Sequence, residues 1–367
     1  MNPDFSPLLS DASARALFAA FGEADKELRF VGGCVRDVIM QRPVGDLDFA
    51  TTATPDETQR ILEDAGIKAI PTGIAHGTVT AHIKGQNFEI TTLRRDVKTD
   101  GRHAKVAFTD DWQQDAERRD FTINAMSLDQ NGVVYDPFNG QADIADKQLR
   151  FIGNAEERIR EDYLRILRYF RFAAQFGWQL DDKAALETLG RNAPSLASLS
   201  RERIQSELFR LLSVADHLPV LMKMHEYHIL QPLFAFDPQP VRDPEDPFLR
   251  LWRCGPADGK WLNDVIVPSR NQMKRINDYA RLVECTEWPL HKKIYYFGAT
   301  STKDWACLSG NDDLTHAIDK WEKPVFPVKA SDLPHLSGVK LGEKIRELEA
   351  YWVDHHFKPD KAALLSQ

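Results

Sequence analysis

Asp46 and Asp48 stand one residue apart in GDLDFATT (45–52), and Asp46 lies ten residues after Arg36 of GGCVRD (32–37). A strand over Gly45–Thr51 would put both aspartates on one face and Leu47 and Phe49 on the other, because strand side chains alternate. Two neighbouring carboxylates repel each other unless something cationic lies between them. Oxygen-only ligands of this kind suit a hard ion such as Mg2+, usually shared with substrate phosphates. Gly32 and Gly33 fall where a strand turns into a helix, so backbone N–H groups and the helix dipole can face an anion. A glycine pair alone is a common structural device, and a lone DxD often just solvates a strand. In this order and spacing each signal strengthens the other, and together they point to nucleotidyl transfer.

Three further groups could take part. Glu89 in FEITTL shares a strand face with Thr91, opposite Phe88 and Ile90, and is either a third carboxylate beside the pair or an exposed strand glutamate. In ERRDFTINAM (117–126), Arg118, Arg119, Asp120 and Asn124 surround an apolar filling of Phe121, Ile123 and Met126. Arginine suits forked contacts with phosphate oxygens, and Asp or Asn can hydrogen-bond a ribose hydroxyl; an arginine-rich surface turn has the same composition. In REDYLRILRYFRF (160–172), Ile159, Tyr163, Ile166, Leu167 and Phe170 form an apolar helical stripe. Asp162, Arg165, Arg168 and Arg171 recur every three residues, a stair flanking that stripe. Ion pairing at i,i+3 would explain it at about 0.2–0.5 kcal/mol per pair. Alternatively, an aspartate accepting from an exocyclic amino group and an arginine donating to the adjacent ring acceptor would select C and A over G and U.

These residues need a sheet edge and a helical scaffold. The 367-residue chain can bury a sizeable core in more than one folding unit. Hydrophobic content of 43% fits a soluble globular protein, with no run long enough to span a membrane. MNPDFSPLLSDASARALF lacks the layout of a secretory signal, which predicts a cytoplasmic protein. Cys34, Cys254, Cys285 and Cys307 lack CxxC spacing, against a disulfide framework or zinc site. The formal charge of −8 implies that a nucleic acid would be gripped by a local basic surface. Periodicity predicts a helix over 8–27, strands at 28–31, 46–51, 77–84 and 87–93, and a helix from Pro55 to Ala65 bounded by Gly66. Residues 94–105 read as a mobile polar loop and DPFNG (136–140) as a turn. From Asn154 onward the character is helical, broken at 236–247 and 323–336, with a last helix ending near Asp354.

The ordered set GGCVRD, GDLDFATT, TTLRRD with DGRHA, RRDFTINA, DPFNG, EDYLRILR and SRERI (200–204) resembles the bacterial class II CCA-adding tRNA nucleotidyltransferases, which share a superfamily with poly(A) polymerases. The resemblance runs from about residue 28 to 235. It implies an α+β fold, a polymerase-β-like head with a small mixed sheet over 1–150, then an all-α neck (151–235) and a body and tail for tRNA (236–367). It implies Asp46 and Asp48 as Mg2+ ligands, and Gly33, Arg36 and Arg119 as nucleotide-binding residues; Gly32, Asp120 and Asn124 are expected beside them from the residue chemistry above. Asp162 and Arg165 would read the base, assisted by Arg168 and Arg171. The loop at 94–105 matches the family loop needed for the final A. Expected substrates are CTP, ATP and the tRNA 3′ end. A poly(A) polymerase, a partial CC- or A-adding enzyme, a small-molecule nucleotidyltransferase and an inert RNA-binding protein share parts of the pattern.

Overall fold

A computed structural model of the chain describes residues 3–74, 77–98, 105–238 and 243–367. Two short helices, α1 (Ser6–Leu9) and α2 (Ala12–Glu23), open the chain; Asp11 separates them because its carboxylate accepts from the Ser13 and Ala14 N–H groups and caps α2. The single helix expected over 8–27 is therefore two. Then come β1 (Leu28–Val31), α3 (Gly33–Ile39), β2 (Asp48–Thr51) and α4 (Pro55–Asp64). Thr54 and Glu57 close a reciprocal capping box on α4, and Gly66 follows it at φ 70°.

Next are β3 (Lys68–Gly73), which the sequence reading passed over, β4 (Thr78–Ile83) and β5 (Gln86–Thr92). The expected loop at 94–105 is flanked instead by two antiparallel strands, β6 (Arg94–Lys98) and β7 (Lys105–Phe108); its centre, 99–104, lies outside the described residues. After α5 (Trp112–Glu117), a 3-10 turn (Thr122–Asn124), β8 (Ser127–Leu128), β9 (Val134–Tyr135) and α6 (Gly140–Ala145), the chain is helical.

The main sheet has seven strands in the order β3-β4-β5-β2-β1-β8-β9. Among the described residues only β2 and β5 pair in parallel, so the sheet is mixed as expected. Its core is aromatic: Phe30 and Phe49 lie 4.7 Å apart between ring centres, with Phe18 of α2 edge-on to both and Phe88 edge-on to Phe49. Burial of these rings on one sheet face leaves the opposite face of β2 and β5 for polar groups.

The helices that follow are α7 (Ala155–Glu161), α8 (Leu164–Phe176), α9 (Lys183–Asn192), α10 (Arg201–Leu212) and α11 (Leu218–Glu226). Beyond them lie α12 (Pro247–Trp252), α13 (Leu262–Val265), α14 (Arg270–Glu284), α15 (Leu290–Leu308), α16 (Thr315–Asp319), α17 (Gly338–Asp354) and α18 (Lys361–Leu365). Helix α17 ends where expected; α18 was not foreseen. The chain divides into two compact units. One comprises 1–199 with 216–232, and the other 200–215 with 233–367. In the second, Trp252 packs on Phe248 and Tyr279, and Arg275 reaches the buried Asp304 with two hydrogen bonds. Among the described residues no helix is long and apolar enough to cross a membrane.

Candidate active site

The acidic group is assembled by strand pairing. Asp48 opens β2 and lies in register with Glu89 of the parallel neighbour β5. Side chains paired in this way project from the same face, so the two carboxylates are side by side. Strand β2 begins at Asp48, later than expected, because RPVG supplies a proline without an N–H and a glycine where a ladder would start. Asp46 therefore precedes the strand and is exposed, so the period-of-two reading does not place it. Its charge still reaches Asp48. Burial, then Glu89, then Asp46 push the Asp48 carboxyl up to about 6, against a pull downward from Arg119. Surplus negative charge around a half-buried carboxylate is what a bound cation would relieve. Among the described residues no three acidic, histidine or cysteine groups close a metal cage. Mg2+ is typically held by one or two carboxylates together with substrate phosphates, so an open acidic group of this type fits it.

A second layer joins α3 to the RRDFTIN segment. Gly32 takes φ 70°, ψ −121°, open to glycine and strained for other residues, and a Cβ there would lie 3.0 Å from Arg119 Nη1. Arg119 donates from Nη2 to Asp115 at 3.1 Å and from Nη1 to the Asn124 carbonyl at 3.2 Å. Arg36, buried, donates from Nη1 to Asn124 Oδ1 at 2.5 Å and from Nε to Asp37 at 2.9 Å. Asn124 in turn donates to Asp120 Oδ1 at 3.0 Å, and Arg168 of α8 donates from Nε to Asp120 Oδ2 at 2.6 Å. Burial raises Asp120, but Arg168, Asn124 and the Phe121 N–H outweigh it and hold the carboxyl below its ordinary value. Both Asp120 oxygens are thus committed to orienting Asn124 and Arg168. The Arg36, Arg168 and Arg171 guanidiniums lie 5.2, 5.3 and 3.8 Å from the ring centre of Phe172.

The third layer departs from expectation. The helix predicted to carry the stair of Asp162, Arg165, Arg168 and Arg171 is broken: α7 ends at Glu161, Asp162 is extended (φ −153°, ψ 103°), and α8 starts at Leu164. Asp162 accepts from the Leu164 N–H at 3.1 Å, a local competitor to the helical bond. Arg165 donates from Nη1 to the Arg158 carbonyl and to Glu161, both at 2.7 Å, and from Nη2 to the Arg118 carbonyl at 3.0 Å. Arg158 grips the Arg118 and Arg119 carbonyls from Nη2 at 2.5 Å each. One edge of Arg165 is thereby fixed, while its Nε–H has no acceptor among the described residues.

Several of these partners escaped the sequence reading. Asp115 with Arg118 and Arg119 was visible as i,i+3 and i,i+4 spacing on a helix. The grip of Arg158 on a peptide about forty residues upstream has no local signature.

An acidic group on a mixed sheet beside a network of arginines, aspartate and asparagine is an arrangement suited to nucleotidyl transfer. Residues 28–150 match the family "Poly A polymerase head domain", and 182–240 match "Probable RNA and SrmB- binding site of polymerase A". The mitochondrial CCA tRNA nucleotidyltransferase 1 of Mus musculus is 36% identical over 406 residues, spanning 100% of this chain and 91% of the relative. The CCA-adding enzyme of Streptococcus pyogenes serotype M5 is 44% identical over 197 residues, 53% of this chain and 48% of the relative. The Bacillus stearothermophilus CCA-adding enzyme, solved in complex with CTP, superimposes with a TM-score of 0.75 at 24% identity, covering 97% of this chain and 94% of that one. The chain belongs to the CCA tRNA nucleotidyltransferase family.

Proposed function

We infer that this chain adds CMP, CMP and AMP without a template to the 3′ end of tRNA, using CTP and ATP and releasing pyrophosphate. The observation that carries the reading is the register of Asp48 with Glu89, with Arg119 acting electrostatically on Asp48 and bonding the Asn124 carbonyl of the Arg36–Asn124–Asp120–Arg168 network. Asp46 and Asp48 would hold Mg2+, which neutralises triphosphate charge and makes the terminal hydroxyl a better nucleophile when bound. Arg119 faces the triphosphate, with Gly32 and Gly33 leaving room for it. Arg36 sets Asn124 for the sugar, and Asp120 holds Arg168 toward the nucleotide. Asp162 and the unbonded edge of Arg165 take the amino-plus-acceptor edge shared by C and A. The 3′-hydroxyl attacks the α-phosphate in line, and most of the rate comes from positioning and charge neutralisation.

We assign catalysis to the head at 1–150, base reading to the neck at 151–235, and tRNA binding to the helical 236–367. Cys34, Cys254, Cys285 and Cys307 are all free thiols, which fits a reducing compartment; we propose the cytoplasm. The decisive experiment incubates the protein and Mg2+ with tRNA that lacks CCA, adding each nucleotide alone and then CTP with ATP, and sizes the product. Addition of two residues with CTP and three with CTP plus ATP is expected. Long A tails from ATP alone would make it a poly(A) polymerase instead.

A further inference from the structure

We propose that Thr122 and Asp143 are positioning residues for nucleotide binding, and that DPFNG with α6 is the brace that holds the RRDFTIN turn in place. Neither residue touches the acidic group or the base-facing pair.

Thr122 opens the 3-10 turn that ends in Asn124. It is held from three directions by residues 136–150. Its hydroxyl donates to Asp143 Oδ2 at 2.5 Å, and both residues are buried (3% and 2% exposed). Its N–H donates to the Arg150 carbonyl at 3.0 Å. Its carbonyl lies against Gly140 so closely that a Cβ there would sit 2.5 Å away. The brace is itself pinned: Asp136 accepts from the Gly140 and Gln141 N–H groups at 2.7 and 2.9 Å, and Arg150 pairs with the other Asp143 oxygen at 3.1 Å.

The consequence is geometric. Asn124 lies two residues beyond Thr122 and bonds Arg36 and Asp120, which holds Arg168. A shift of the turn is passed on to three groups assigned above to the nucleotide. A buried hydroxyl on a carboxylate is a short, charge-assisted bond. Deleting it leaves Asp143 with an unfilled acceptor, so the turn loses its anchor rather than a mere contact.

The proposal rests on the nucleotide-site reading, and the test separates the two. Thr122→Val keeps the shape and removes the hydroxyl, Thr122→Ser keeps the hydroxyl, and Asn124→Ala removes a group assigned to the site. KM and kcat are measured for CTP and ATP on tRNA lacking CCA. Thr122→Val is expected to raise both nucleotide KM values by about fivefold or more, with kcat and the tRNA KM within about twofold. Thr122→Ser should match the parent protein. A role confined to stability would lower the active fraction and leave KM unmoved. Unmoved KM in Thr122→Val with raised KM in Asn124→Ala overturns the positioning role alone; unmoved KM in both overturns the site reading with it. Should Thr122→Val fail to fold, Asp143→Asn, which keeps an acceptor but loses the charge, is used instead, and an unmoved nucleotide KM there overturns the proposal.

Discussion

Asp48 of β2 and Glu89 of β5 stand in register on a parallel strand pair of the main sheet, and Glu89 is the leading charge that raises the Asp48 carboxyl. The two acids come from motifs forty-one residues apart, and only the sheet order makes them neighbours.

That relationship predicts a pH dependence. The folded value of about 6 for Asp48 lies above the ordinary aspartate value of about 3.9. Between those two values the folded state holds more protons than the unfolded one, so this group's contribution to stability falls as pH rises through that window. Without divalent cations, Asp48→Asn should flatten the decline in Tm from pH 4 to pH 7. In the parent protein, added Mg2+ should raise Tm at pH 7 more than at pH 5, because protons compete with the ion. Equal Mg2+ effects at both pH values would count against Asp48 as a ligand.

Asp120 is buried and its partner Arg168 is half-buried, so loss of the arginine strands a buried carboxylate. Removing one member leaves the other charge uncompensated, at about 3–5 kcal/mol. Arg168→Ala is therefore expected to lower urea stability by about 3 kcal/mol and to weaken CTP binding. Asp120→Ala combined with Arg168→Ala should cost clearly less than the sum of the two, and additivity would deny the coupling.

Base choice gives a third test. Asp162→Ala should reduce discrimination against UTP and GTP by tenfold or more, at about 1.4 kcal/mol per tenfold. Glu161→Gln weakens the fixed edge of Arg165 and should erode the same discrimination with a smaller loss of CMP addition. Unchanged nucleotide selection in Asp162→Ala removes the base-reading assignment.

At Gly32, alanine would have to adopt φ 70° and place its Cβ against Arg119. Strain of about 1–3 kcal/mol is expected, with a rise in nucleotide KM from displaced Arg119. A Gly32→Ala protein with parent-like KM would show that Arg119 need not stand there.

Packing offers a check independent of the chemistry. Phe49 is 1% exposed at the centre of the aromatic core. Phe49→Ala should cost about 3–5 kcal/mol, seen as a fall in Tm, while Glu89→Gln on the opposite face, which removes a charge that repels Asp48, should not lower Tm.

Much of the head was readable locally. Alternation located β1, β4 and β5 to within a residue or two, and Pro55 with Gly66 bounded α4, because these depend on backbone preferences within a few residues. The helical stair failed for the opposite reason: its period was regular, but Asp162 bonds the chain locally and splits the helix. Residue types and their order determined the chemistry available: paired acids, a glycine turn, arginines and an aspartate–arginine pair three residues apart. Tertiary structure decided which of them meet. Arg36 finds Asn124 eighty-eight residues away, and Arg168 finds Asp120 across forty-eight. Such pairs leave no periodic trace in the chain. They form because a buried charge or amide must find a partner, and the packed core determines which one is within reach.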